Sequence, residues 1–292
     1  MSQQIPTAMV KQYHDSVEML VQQEGSVLRG TVRNEDQQAE EQFWEQIGPT
    51  TAQKILNRHG DSPQVDSVHD RRAVSQDFFD WGDFVDKIDR VRTLIEPTGA
   101  YAQNAAYALG REMDNAILAA LFGNARTDKT GSTLVALPAG QKVALAFGGT
   151  NVGLTIAKLV EGKRIMKRAN VQLKREQLYA ALGAGQEADL LNTTEVTSAD
   201  YNSVKALVRG DVDTFLGISF EHTELIPVST STNRFVPLYC KSGLLFTSNP
   251  EITTEIVRRW DKRGSWYVYA MAGFGAVRMQ ETKVVQIDCV DV

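Results

Sequence analysis

Between Pro97 and Gly123 the chain carries apolar residues at Ala102, Ala106, Leu109, Met113, Ile117 and Leu121. These steps of three and four keep them on one side of an α-helix. Pro97 and Thr98 supply a start, with Thr98 as the N-cap, and Gly123 supplies a stop at the C′ position. The stretch amounts to about seven turns at 3.6 residues per turn. A helix this long and this rich in alanine constrains everything near it, because its stripe has to be covered by other elements.

The candidates for that cover follow in the chain. Strand-like runs lie at 132–137 and 142–147, a helix at 152–170, a strand at 177–182 and a helix through 188–191. Ser198 and Asp200 open another helix over 201–208. The last third is strand-rich, with alternating or β-branched runs at 235–239, 244–247, 266–271, 276–279 and 283–290. Helix and strand mix without a regular βαβ alternation, which gives an α+β class.

The segments ahead of the long helix differ in kind. Residues 1–30 are polar, with a thin apolar line from Val10 to Val21 that includes Tyr13 and Leu20, enough for a docking arm and not for a core. Glutamine and glutamate dominate from Gly30 to Asp70, where Phe43-Trp44 is the one large apolar group. Residues 40–56 and 64–75 read as two extended arms around the turn residues Gly60, Asp61, Ser62 and Pro63. A two-stranded hairpin is marginal alone in water and needs another surface to rest on.

Several groups could carry chemistry, and each has a plainer explanation. Gly183, Gly185 and Ala188 fit G-x-G-x-x-A between a strand and a helix, the setting of a pyrophosphate-binding turn and the basis of a nucleotide-dependent enzyme reading. No second βαβ unit is evident, however, and a tight turn uses the same glycines. Asp77, Asp80, Asp83, Asp86 and Asp89 stand at every third residue, but on a helix such a series winds around the axis and converges on no ion. Trp81, Phe84, Ile88, Val91 and Ile95 would give that helix one apolar face. His59, Asp61, Asp66, His69 and Asp70 match no closed zinc spacing. No nucleophile elbow, zincin or Walker sequence occurs, so no catalytic, cofactor or metal set is expected.

The balance of 31 Lys+Arg against 36 Asp+Glu gives a formal charge of −5, which disfavours a dedicated nucleic-acid binder. Two cysteines, Cys240 and Cys289, are too few for a disulfide framework. The N-terminal residues lack the apolar core of a secretory signal, and the uncharged run 143–157 is too short to span a bilayer. Basic side chains cluster twice, as Lys163, Arg164, Lys167 and Arg168 on one helix, and as Arg258, Arg259, Lys262 and Arg263 around Trp260. With a polar arm and an acidic segment elsewhere, these favour complementarity between copies of the chain.

The order of several segments resembles the major capsid proteins of tailed bacteriophages, with the Hong Kong 97-type fold. They are QFWEQIG at 42–48, DFFDWGDFVDKIDRVRTLIEP, GAYAQNAAYALGREMDNAILAALFGNA, Leu-Leu-Asn at 190–192, TSADYNSVKALVRGDVDTFLGISF and RWDKRGSWYVYAMAGFGAVRM. The resemblance implies an N-terminal arm (1–30), an extended E-loop with its connection (31–95) and a peripheral domain with a spine helix (96–150). It further implies an axial domain (151–257) and strands returning to the peripheral domain (258–292). The chain would then build hexamers and pentamers of an icosahedral head around double-stranded DNA, assembling in a bacterial cytoplasm and ending in the virion. A separate scaffolding protein, a portal and a possible decoration protein would be its partners. An encapsulin-type compartment, which shares the fold, is the alternative. Tyr13 and Leu20 would clasp an adjacent subunit and Phe43 and Trp44 would anchor the loop on a neighbour. Asp77, Asp80 and Asp83 would face Arg164, Arg168 and Arg259 of other copies.

Overall fold

The structure, a computed structural model, describes residues 22–54, 60, 64–85, 98–149, 152–192, 214–230, 233–249 and 253–291. Sixteen described strands and three α-helices follow one another. In the first half are β1 (Arg33–Asp36), β2 (Glu41–Ile47), β3 (His69–Ser75), β4 (Asp77–Val85), α1 (Thr98–Phe122), β5 (Ala125–Thr127), β6 (Thr133–Val135) and β7 (Lys142–Val143). Then come α2 (Ile156–Arg168), β8 (Leu178–Leu182), α3 (Ala184–Leu191), β9 (Thr214–Phe215), β10 (Ile218–His222), β11 (Val228–Thr230) and β12 (Asn233–Cys240). The chain closes with β13 (Leu244–Ser248), β14 (Thr253–Arg259), β15 (Ser265–Arg278) and β16 (Val284–Val290). The helix expected at 201–208 lies outside the described residues.

Backbone contacts divide the chain into two units. One comprises Met1–Ser26, Phe78–Glu112 and Glu251–Gly273, the other Val27–Asp77, Met113–Pro250 and Phe274–Val292. In the first, β14 pairs antiparallel with the leading half of β15, from Thr253 opposite Met271 to Arg259 opposite Ser265. The two strands read from sequence at 266–271 and 276–279 are therefore one continuous strand.

The larger unit holds a seven-stranded mixed sheet in the order β7-β16-β12-β8-β10-β9, with β11 on β12. Its core gathers Leu159 and Met166 of α2, Leu178 and Leu182 of β8, Leu238 of β12 and Ile287 of β16. Strand β8 runs parallel to β10, so β8, α3 and β10 form one parallel crossover that the sequence reading had not found. A second sheet in the order β2-β3-β5-β6 carries the hairpin arms, with Glu41 opposite Ser75 and Ile47 opposite His69.

The long helix is present, but its buried line runs through Ala105, Leu109, Met113, Ile117 and Leu121, while Ala106 is exposed. Leu118 is buried beside this line, so steps of three and four both persist, and four of the six residues read from sequence, Leu109, Met113, Ile117 and Leu121, are buried. The described helix runs from Thr98 to Phe122, and the residues before Thr98 lie outside the described residues. Gly123 follows it outside the left-handed region. The carbonyl end is closed from elsewhere: the fully buried Arg278 donates to the carbonyls of Leu121, Gly123 and Val135 at 3.0, 2.8 and 2.9 Å. An arginine there satisfies open carbonyls and opposes the helix dipole, a task that no basic residue in the last turn performs.

Candidate subunit-contact surfaces

Strand β2 alternates strictly between half-buried and exposed residues, as the period of two dictates. Its inner face carries Trp44, packed on Val74, Ala125, Leu245, Val277 and Met279, and Gln46, whose Nε2 donates to the Met279 carbonyl at 2.8 Å. Phe43, 36% exposed, and Ile47, 70% exposed, lie on the outer face. Beyond the last ladder pair the Gly48 N–H donates to the Val68 carbonyl at 2.7 Å, and Val68 is 71% exposed. The pair read together from sequence thus divides: Trp44 belongs to the chain's own core cluster, while Phe43, Ile47 and Val68 are offered outward.

The base of the hairpin is held by buried polar groups. Gln76 Nε2 donates to the Gln37 carbonyl at 2.9 Å, and Gln37 Nε2 donates to the Val74 carbonyl at 3.3 Å. Arg72 of β3, nearly fully buried, pairs with Glu281 at 2.9 Å and donates from Nε to the Met279 carbonyl at 3.3 Å. Polar groups removed from water persist only when paired, so each of these contacts fixes where the hairpin emerges.

Asp77, Asp80 and Asp83 are exposed, but on a strand and not on the helix expected from sequence. The aromatic residues of DFFDWGDFV suit a pleated surface, and the strand's alternation places Trp81 and Phe84, whose spacing suggested one helical face, on opposite faces. Gly82 serves close packing: a Cβ there would stand 2.0 Å from the Tyr267 hydroxyl oxygen. Phe84 packs on Tyr267 with ring centroids 4.6 Å apart. Asp86 and Asp89 lie outside the described residues, as do Tyr13, Leu20, His59 and Asp61.

The basic group on α2 also divides. Arg164 grips Glu161 one turn earlier through two contacts of 2.6 Å, and that guanidinium holds the Glu161 carboxyl below its ordinary range. Arg168 is exposed in the last turn, where a cation opposes the helix dipole. Lys163 and Lys167 share a different face and line a cleft of about 530 Å³ with Lys174 and Arg175, two residues that the sequence reading passed over. At the β14–β15 turn Arg259 pairs bidentately with Asp261 at 2.9 Å, so its charge is largely spent locally. Arg258 stacks on Trp260 with its guanidinium carbon 4.2 Å from the ring centroid, leaving Trp260 75% exposed.

The glycine motif is occupied by the chain itself. The Gly183 N–H donates to Gln186 Oε1 at 3.2 Å and the Ala184 N–H to Glu224 Oε1 at 2.6 Å. A carboxylate therefore already fills the place at this helix start where a phosphate would sit, and Arg234 balances it by pairing with Glu224 and Asp291 at 2.8 and 2.5 Å.

The family model described as phage capsid protein matches residues 5–291. Among solved structures, the capsid of cyanophage P-SCSP1u is similar at a TM-score of 0.75 and 13% identity, over 99% of this chain and 95% of that chain. The capsid of Helicobacter pylori bacteriophage KHP30 is similar at 0.72 and 10% identity, over 98% of this chain and 96% of that one. For Mycobacterium phage Che8 the values are 0.69 and 16%, over 96% of each chain. At these identities the likeness is one of fold, and it agrees with the α+β reading. No match was found among curated proteins.

Proposed function

Because the chain belongs to the phage capsid protein family, it is a major capsid protein of a phage head, and we propose that its projecting hairpin is what joins copies into the shell. The observation that carries this reading is the hairpin's exposed apolar surface, with Phe43 and Ile47 on the outer face of β2 and Val68 beside Gly48 on the opposite face, which the described residues of the chain leave open. Neighbouring copies supply the cover, in a closed arrangement of hexamers and pentamers. In this reading 1–30 is a clasping arm with Tyr13 and Leu20 as contacts, 31–95 the loop laid over a neighbour, and 96–150 the peripheral domain. Residues 151–257 form the axial domain and 258–292 the return. Asp77, Asp80, Asp83 and Arg168 supply charged contacts between copies, with Arg164 and Arg259 already partly engaged by Glu161 and Asp261. The chain works through surfaces and not as an enzyme. A scaffolding protein, a portal, a decoration protein and packaged double-stranded DNA are its further partners, and assembly takes place in the bacterial cytoplasm.

Negative-stain imaging of the expressed chain, with and without its scaffold, tests this directly: closed particles are expected. A chain that stays a monomer or dimer at every concentration under both conditions would overturn the reading. Deleting 49–67, beyond the last paired residues Gly48 and Val68, should leave a folded chain that builds no shell, whereas loss of folding would count against a projecting loop.

A further inference from the structure

The cleft at the end of α2 has a composition that the charge balance of the chain does not prepare for. Lys163, Lys167, Lys174 and Arg175 line it, and among the described residues no acidic one does. Burial, with the neighbouring Lys167 charge, pushes the Lys163 ammonium below its ordinary range. Beneath the cations the lining is apolar, from Val171, Leu173 and Leu178.

The far wall is the turn between β9 and β10, where Leu216 and Gly217 have φ of 54° and 70°. Positive φ is natural for the glycine and costly for the leucine. Leu216 is nonetheless held there, over a third exposed and lining the cleft, with its carbonyl accepting from Lys163 Nζ. Leu216 and Gly217 are the central residues of a two-residue turn closed by Phe215 opposite Ile218, which needs φ > 0 at each. It is therefore the exposure of Leu216 beside the cations, and not its backbone, that offers an occupant apolar surface.

We propose that this cleft receives the acidic and aromatic strand Asp77–Val85 of a second copy of the chain, an inference that rests on the shell-forming reading and names one of its contacts. Alternation along β4 puts Phe78 and Asp80 on one face. Phe78 is 60% exposed and Asp77, Asp80 and Asp83 are all exposed. Phe78 with Asp80 beside it matches the cleft's two kinds of lining, the ring meeting the apolar residues and the Asp80 carboxylate the ammonium groups, while Asp77 and Asp83 on the opposite face of the strand add negative charge nearby. A nucleic-acid backbone would satisfy the rim alone and leave Leu173 and Leu216 facing phosphate. The cleft, at about 530 Å³, has room for one such aromatic side chain with its flanking groups.

The test is titration of a fluorescein-labelled peptide of sequence 77–85 into the full-length chain, diluted below the concentration at which it assembles. Saturable binding is expected. Lys167→Glu with Lys174→Glu should weaken it on the order of tenfold, as should replacing the three peptide aspartates by asparagine. Both lysines are exposed, and an unchanged melting temperature would show that the variant is folded. Absent binding, or binding indifferent to the lysine changes, overturns the proposal. So does a 20-base-pair DNA duplex that binds through the same lysines while the peptide does not. Shell yield is read in parallel: a wild-type chain that builds no particles counts against the capsid reading, whereas particles that form equally well from the double variant count against this contact alone.

Discussion

Asp114, fully buried on α1, accepts the backbone N–H of Leu28 at 3.1 Å and that of Val27 at 2.9 Å. A carboxylate out of water is stabilised only by such donors, and an amide out of water, as that of Leu28 is, needs an acceptor as much as the carboxylate needs it. The pair therefore fixes where the chain crosses the helix on its way to β1. Asp114→Ala leaves the buried Leu28 amide and the half-buried Val27 amide without that acceptor and should cost about 2 kcal/mol, read as a fall in the urea midpoint with little change in slope.

Four residues earlier on the helix the chain crosses at closer range. A Cβ on Gly110 would lie 2.4 Å from the carbonyl carbon of Gly25 and 2.6 Å from the Ser26 nitrogen. Alanine would improve helix propensity by about 1 kcal/mol, but the overlap is with backbone, which cannot rotate away as a side-chain tip can. The overlap should win. Gly110→Ala is expected to lower the melting temperature, and a rise would show that the crossing segment yields freely.

How far these features were legible in the sequence depends on how local their signal was. The long helix and the hairpin arms could be read because each repeats one period over many residues. Strand β4 was misread because aspartates at every third position and aromatics at 81 and 84 fit a helical face as well as a strand. The cleft was not legible, since its lining comes from the end of α2, the segment after it and a turn some forty positions later. Arg278 gave no sign of its part either, because nothing near residue 278 in sequence announces that a helix ends beside it. The Phe43–Trp44 pair showed where the hairpin meets apolar surface, but only the register of β2 separates the residue that faces inward from the one that faces out.

Cys240 and Cys289 are both fully buried, and burial pushes each thiol from its ordinary 9.0 up to about 12. In the folded chain they should resist maleimide at pH 8 and react on addition of denaturant. The sign of the pH effect follows from the raised folded value. Unfolded thiols release their protons above pH 9 while the native ones keep theirs, so stability is constant below pH 9 and falls as pH rises toward 12. At pH 10 the loss is about 1.4 kcal/mol per thiol. The Cys240→Ala, Cys289→Ala chain, though less stable at pH 7 through lost packing, should show a shallower decline between pH 9 and 11 in chemical-denaturation series. An equal decline would mean that the thiols contribute nothing to it.

Ile47 and Val68 offer the sharpest separation of folding from assembly. Both are about 70% exposed at the far end of the described ladder, so neither contributes much burial to its own chain. Ile47→Glu with Val68→Lys places opposite charges where two apolar side chains now face solvent, and should alter unfolding free energy by no more than about 1 kcal/mol. If those side chains are covered by a neighbour, the same change buries two charges at every copy of the contact, a cost repeated around each ring. Particle yield, counted by electron microscopy at matched protein concentration, should fall on the order of tenfold or more. Unchanged yield from a stably folded double variant would mean that Ile47 and Val68, on the two faces of the hairpin, both stay in water in the finished shell, and the joining role would then pass to other surfaces of the chain.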